Sequence, residues 1–313
     1  MWLFIGPPML SGIGQVTHRY SRLMKGEYVL VGELPKEQMY DYGFMFVLPI
    51  PNFLEMFVHY KKFCKKILYM TICETETVHE DYGRLGEMSD ILYTPSVFCK
   101  NIFEKQFPHI TFKVLHLWSD IVPPEPIPIA RNEAYTFYTI GNIIDPRKNI
   151  RSFIEAFIRC EFPPGTARII LKATCKVEAE INLPFVQVIN KLLTDGQMES
   201  IHHVGDCYVN CSHSEGVGMG AVEAALRNKS VIITDFGGLK EYVKTPYVVE
   251  CTPCAVGVDD FLFKKDMIWG NPKMEQLVDC MKRAYNERHL AEKGFTAGLM
   301  DGVSEEFIQY SAE

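Results

Sequence analysis

Two carboxylates eight residues apart enclose a run of glycines in Ser212-His-Ser-Glu-Gly-Val-Gly-Met-Gly-Ala-Val-Glu-Ala-Ala-Leu226. Glu215 stands before Gly216, Val217, Gly218, Met219 and Gly220, and Glu223 follows them. Glycines let backbone amides approach a ligand closely, and a helix N-terminus favours negative charge, so this segment is suited to cradle a diphosphate. A plain tight turn explains the glycines equally well. Glu223 adds a sharper constraint, because Met219, Val222, Glu223 and Leu226 share one helical stripe. A carboxylate buried unpaired on such a stripe costs several kcal/mol, roughly. It must meet a donor such as a ligand hydroxyl, or reach solvent or a basic side chain at the helix edge. Arg147-Lys148 is a second feature, able to neutralise a phosphate or to serve only as a solvated turn pair.

Short apolar runs alternate with amphipathic stretches and would position these residues. Leu3–Gly6, Tyr28–Gly32, Phe44–Pro49, Ile67–Cys73, Ile91–Pro95 and Phe112–His116 read as strands. Residues 13–24, 53–66 and 97–107 read as helices between them. Ile121-Val-Pro-Pro-Glu-Pro-Ile-Pro-Ile129 then reads as a stiff linker, since proline removes backbone donors and restricts its predecessor. After it come strands at 135–140, 167–172, 186–189, 207–210, 230–234 and 247–250. Helices at 150–159, 219–227 and 273–287 lie among and after them, before a polar tail. The expectation is an α/β protein with parallel sheets, built as two Rossmann-like domains facing across a cleft. Residues 1–121 form the first domain, 122–132 the linker and 133–313 the second.

The composition is that of a globular chain: 313 residues, 47% hydrophobic and 23% charged. A net charge of −7 disfavours a nucleic-acid partner. No apolar run approaches the roughly 20 residues that span a bilayer, and the N-terminus lacks the basic start of a signal peptide. Ten cysteines then suggest reduced thiols in a cytoplasmic protein. Cys251-Thr-Pro-Cys254 has no second pair at zinc spacing, and Cys207, Cys211, His202 and His203 supply no closed site, so no metal and no cofactor are expected.

Glu215-x7-Glu223, followed by Val231-Ile-Ile-Thr-Asp-Phe-Gly-Gly238 and Glu241, resembles the E-x7-E signature of retaining, nucleotide-sugar-dependent glycosyltransferases of family 4. Phe137-Tyr-Thr-Ile-Gly-Asn-Ile-Ile-Asp-Pro-Arg-Lys-Asn149 is similar to that family's strand and loop with a basic pair, and Ser152–Phe157 to its next helix. Gly12-Ile-Gly14, Cys73–Thr77 and Ser89–Ser96 resemble segments of its first domain, in the same order. The resemblance implies a GT-B architecture. In it Glu215 contacts hydroxyls of the transferred sugar and Glu223 those of the ribose. Gly216–Gly220 present amides to the sugar and diphosphate, Arg147 and Lys148 neutralise the departing diphosphate, and Gly12 and Gly14 close on the donor. Asn142 departs from the pattern, standing where the family often has arginine.

The expected activity is metal-independent, retaining transfer from a nucleotide-diphosphate sugar to a hydroxyl acceptor that is a glycan, lipid-linked or protein-linked. Alternatives are a nucleotide-sugar epimerase, a phosphorylase or a catalytically silent scaffold. Glu215→Gln should then abolish transfer with little loss of stability. Glu74, Glu76 and His79, where a strand ends, are acceptor-side candidates, although such a cluster is often plain surface. Lys61, Lys62, Lys65 and Lys66 would form a basic helix face, the one feature offering peripheral membrane contact, with a solvated face as the plainer reading.

Overall fold

Strands joined through helices pair in parallel, because each crossover returns the chain to the same end of the sheet before the next strand begins. The computed structural model describes every residue except 10, 38, 130–132, 176–180, 261 and 313, and for 51–53 the backbone alone. The chain forms two compact units: Met1–Asp120 with Ala255–Ile268 and Gly298–Glu313, and Ile121–Cys254 with Trp269–Ala297.

The first unit runs β1 (Trp2–Gly6), α1 (Gly12–Leu23), β2 (Glu27–Leu30), β3 (Tyr40–Phe46), α2 (Pro51–Tyr60), β4 (Cys64–Met70), β5 (Ile91–Thr94), α3 (Val97–Gln106) and β6 (Thr111–Val114). Its six strands are parallel in the order β2-β1-β3-β4-β5-β6. All of β1 is buried, as a strand covered on both faces must be. The chain leaves β1 toward one edge and returns to its other side at β3, so strand order reverses there.

The second unit repeats this plan. It runs β7 (Tyr135–Gly141), α4 (Ile150–Cys160), β8 (Ala167–Ala173), β9 (Val186–Ile189), α5 (Asp195–Val204), β10 (Cys207–Val209), α6 (Met219–Leu226), β11 (Ser230–Thr234), α7 (Leu239–Tyr242) and β12 (Val248–Val249). The parallel order is β12-β11-β10-β7-β8-β9, with the reversal between β7 and β10. Phe137, Ile169, Leu171 and Val209 on one sheet face join Phe153 and Phe157 of α4, and Leu277 and Met281 of α8 (Met274–Glu287), in one core. A two-stranded sheet, β13 (Cys251–Ala255) with β14 (Ile268–Pro272), precedes α8. Two helices, α9 (Lys293–Asp301) and α10 (Val303–Ala312), end the chain.

The units are discontinuous, whereas a single cut near residue 132 would assign all of 133–313 to one domain. The stretch read as a polar tail is helical and rejoins the first unit. Phe307 of α10 is fully buried, with its ring 5.1–5.9 Å from those of Trp2, Phe4, Tyr20 and Phe44. Of the described linker residues, Glu125 is fastened to the second unit. Its amide donates to the Gly196 carbonyl at 2.9 Å and its carboxylate accepts from the Thr194 hydroxyl at 2.6 Å.

The helical pattern over 53–66 stops at Tyr60, and Lys61–Phe63 form one 3-10 turn before β4. Cys64 and Lys66 pair with Tyr40 and Tyr42 of β3, so Lys65 and Lys66 point to opposite faces of a strand. Lys65 Nζ binds Asp41 Oδ1 at 2.7 Å, Lys61 Nζ donates to the Met88 carbonyl at 3.1 Å, and Lys66 Nζ to that of Tyr310 at 3.0 Å. The expected basic helix face therefore does not form, and the membrane contact built on it loses its basis. Among the described residues, no helix is long and apolar enough to cross a membrane.

Candidate functional site

In an open parallel sheet, ligands bind beyond the carboxyl ends of the strands where strand order reverses, because the two flanking loops part there. In the second unit those loops follow β7 and β10, and they carry Arg147-Lys148 and Glu215. Asp145 shapes the first loop: its Oδ1 accepts from the Arg147 amide at 2.9 Å and its carbonyl from the Lys148 amide at 3.0 Å. The second loop is held against the first, with the His213 amide donating to the Arg147 carbonyl at 2.8 Å and Asn149 Nδ2 to the Cys211 carbonyl at 3.2 Å. From the other side, the Gly238 amide donates to the Glu215 carbonyl at 2.8 Å. Backbone bonds thus fix Glu215 before its side chain makes any contact.

The side chain then meets three donors. Lys148 Nζ lies 2.5 Å from Oε1, Arg147 Nη1 lies 3.1 Å from Oε2, and the Ser212 hydroxyl donates to Oε1 at 2.7 Å. Glu215 is only 5% exposed. Burial pushes its carboxyl up, but the charges of Lys148 and Arg147 with the Lys148 and Ser212 hydrogen bonds outweigh that, bringing it to about 2. At neutral pH the group is an ionised acceptor, suited to hydroxyl donors and not to giving up a proton. A cavity of about 10 Å³ beside it, lined in part by Thr139, Tyr208 and Asn210, has room for about one water.

Gly216 and Val217 are buried, and Gly218 caps α6 with φ +80°, a left-handed conformation that favours glycine. A Cβ at Gly218 would also lie 2.3 Å from Leu239 Cδ2. Met219 and Gly220 open the helix, whose first amides have no intrahelical acceptor. Small Ala221, Ala224 and Ala225 let α6 bury itself on β11. Glu223 is buried with it, 3.6 Å from His202 Nε2, and His202 Nδ1 is 2.9 Å from the Tyr138 hydroxyl. Burial holds His202 below the usual histidine range, with the Glu223 contact opposing. The Asn142 side chain accepts from Cys175 Sγ at 3.1 Å.

The first unit holds the remaining candidates. Gly12 and Gly14 open α1 beyond β1, beside that unit's own reversal of strand order. A Cβ on Gly14 would lie 2.3 Å from the Pro8 carbonyl oxygen, so close packing accounts for this glycine, while Gly12 has open space around it. Glu74, Glu76 and His79 follow β4, one strand beyond the reversal. The Glu76 amide donates to the Ile268 carbonyl at 2.9 Å, and His79 Nδ1 accepts from the Asp81 amide at 3.2 Å, opening a 3-10 turn.

The roles of Ser212 and Asp145, and of His202 as a partner for Glu223, escaped the sequence reading. The Asp-Pro before Arg147 was a turn signal for the first loop. Thr194 and Gln197, which form a capping box, would have announced α5 and with it His202. Among the described residues, no group of three or more His, Cys, Asp or Glu side chains is placed to hold a metal ion, and all ten cysteines are free thiols.

No protein-family model and no curated protein sequence matches the chain. Solved structures do. A sucrose-phosphate synthase from Thermosynechococcus elongatus superposes with a TM-score of 0.66 at 11% identity, over 99% of this chain and 97% of that one. The pneumococcal O-GlcNAc transferase GtfA, solved with UDP and GlcNAc, gives 0.58 at 11% identity over 96% of this chain, which spans 60% of GtfA. An α,α-trehalose-phosphate synthase (UDP-forming) from Burkholderia vietnamiensis gives 0.56 at 10% identity, over 94% and 75%. At such identities the likeness establishes the fold, an α/β GT-B fold carrying two parallel six-stranded sheets.

Proposed function

We propose that the chain is a retaining glycosyltransferase, moving a sugar from a nucleotide-diphosphate sugar to a hydroxyl group of a glycan, lipid-linked or protein-linked acceptor without a metal ion. The observation that carries this reading is the meeting of Arg147, Lys148 and Glu215 where strand order reverses, beside the glycine-opened start of α6. In the reaction the bond from the anomeric carbon to the phosphate oxygen breaks, and a new carbon–oxygen bond forms on the same face. The acceptor proton passes to the leaving phosphate. Positive character develops on the sugar and negative charge on the diphosphate. Two fixed cations and the amides of α6 stabilise that negative charge as it forms, which is where preorganised charge contributes most. Ionised Glu215 takes hydrogen bonds from sugar hydroxyls, and Glu223 from those of the ribose. Glu74, Glu76 and His79 remain the candidates for the acceptor side. Ten cysteines outside any disulfide suit a reducing, cytoplasmic setting.

Of the three similar structures named above, one is solved with UDP and another is of a UDP-forming synthase, so a UDP-sugar heads the candidate donors. The deciding experiment is a thermal-shift screen of the purified chain against UDP, GDP, ADP, TDP and their sugars, with and without EDTA. Stabilisation by one diphosphate that survives EDTA is expected. The absence of any shift would leave a silent scaffold as the reading.

A further inference from the structure

Side chains alternate along β8. Ile169, Leu171 and Ala173 enter the core shared with α4 and α8, so Lys172 points to the opposite face. Lys172 is in register with Ile140 of β7, which lines the gap beside Glu215, and the amide two residues on, that of Thr174, donates to the Gly141 carbonyl at 2.9 Å. It therefore sits at the ligand end of the sheet, one strand from the loop that carries Arg147 and Lys148. The side chain is 2% exposed, yet among the described residues its ammonium has a single acceptor, the carbonyl oxygen of Ala173, and no carboxylate partner. An ammonium has three donors to satisfy, and burying one without a counter-charge is costly. Burial pushes its pKa down. A methionine would fill the same space without that cost, so the ammonium has unused donors for which no described residue supplies an acceptor.

We propose that Lys172 is a donor-binding residue, its ammonium meeting an oxygen of the bound nucleoside diphosphate. The inference rests on the nucleotide-sugar reading above and adds a third cation, from a different strand, to Arg147 and Lys148. Binding exchanges a main-chain carbonyl for an oxygen of an anionic ligand, which relieves the uncompensated charge.

The test is calorimetric titration of the full chain and of its Lys172→Met and Lys172→Gln variants with UDP, GDP, ADP, TDP and inorganic pyrophosphate, alongside melting curves without ligand. Both variants should bind the preferred nucleotide at least tenfold more weakly, and Lys172→Met should melt no lower than the parent. A matching loss for pyrophosphate places the contact on a phosphate oxygen, and an unchanged pyrophosphate affinity places it on the nucleoside. Nucleotide affinity equal to the parent's in either folded variant overturns the proposal and leaves the nucleotide-sugar reading standing. A parent chain that binds no nucleoside diphosphate overturns both. Lys172→Gln keeps a donor for the Ala173 carbonyl and gives the answer should the methionine variant fold poorly.

Discussion

Replacing Glu215 by glutamine removes one negative charge from between two cations, and the cost follows from the geometry. The folded carboxyl sits at about 2 against an ordinary value of 4.5. At roughly 1.4 kcal/mol per pH unit, that gap amounts to about 3 kcal/mol of stability at pH 7. This revises the expectation that the variant folds with little loss, since glutamine leaves Arg147 and Lys148 facing each other without their shared counter-charge. The pH dependence has a definite sign. A carboxyl depressed in the folded state stabilises above its unfolded value of 4.5, and the contribution fades as pH falls toward 2. By pH 3.5 roughly two-fifths of it should be gone. Glutamine does not titrate, so the gap between parent and variant narrows by that amount. Hydrogen exchange of the β10 and β11 amides, read by mass spectrometry on the full chain at pH 7, 5 and 3.5, reports the opening of the second unit alone. A gap that stays constant from pH 7 to 3.5, or that is under about 1 kcal/mol at pH 7, would refute the ion-pair reasoning. In the same variant, transfer should fall by about a hundredfold or more if Glu215 contacts the reacting sugar.

Other perturbations probe separate links in the argument. Lys148→Ala should weaken binding of the free nucleoside diphosphate by about tenfold or more in a titration, and unchanged affinity would remove its phosphate role. Gly218→Ala forces a Cβ into a left-handed backbone and against Leu239, so denaturant unfolding should show a loss of about 2 kcal/mol. His202→Phe takes from Glu223 its contact on α5. Nucleotide affinity should drop about tenfold while pyrophosphate affinity holds, and an equal drop for both would point to a general disturbance. Phe307→Ala empties a fully enclosed site among four aromatic rings and should cost the first unit about 3–5 kcal/mol in hydrogen exchange of β1 and β3.

Local pattern alone determined a good deal. Short apolar runs separated by amphipathic stretches dictate parallel sheets, because no hairpin turn can join such strands. The glycine run before an apolar helix locates the start of α6, since Gly218 is at φ +80° where other residues are strained. The carboxylate on the apolar stripe at Glu223 announces a buried partner, although the spacing does not say that it is His202. The tertiary structure decided what depends on strand order. Glu215 meets Arg147 and Lys148 across more than sixty residues because β10 adds beside β7 and not beside β9, a choice that no local period encodes. The same non-local pairing turned Lys65 and Lys66 from a helix face into strand positions, since contact with β3 outweighs a short helical pattern. Phe307 in its polar surroundings gave no sign that the end of the chain returns to the first unit. Lys172 ends an apolar run, and its burial follows only once both of its neighbouring strands are in place. Burial is a property of the assembled sheet, and a single charged residue in an apolar run does not reveal it.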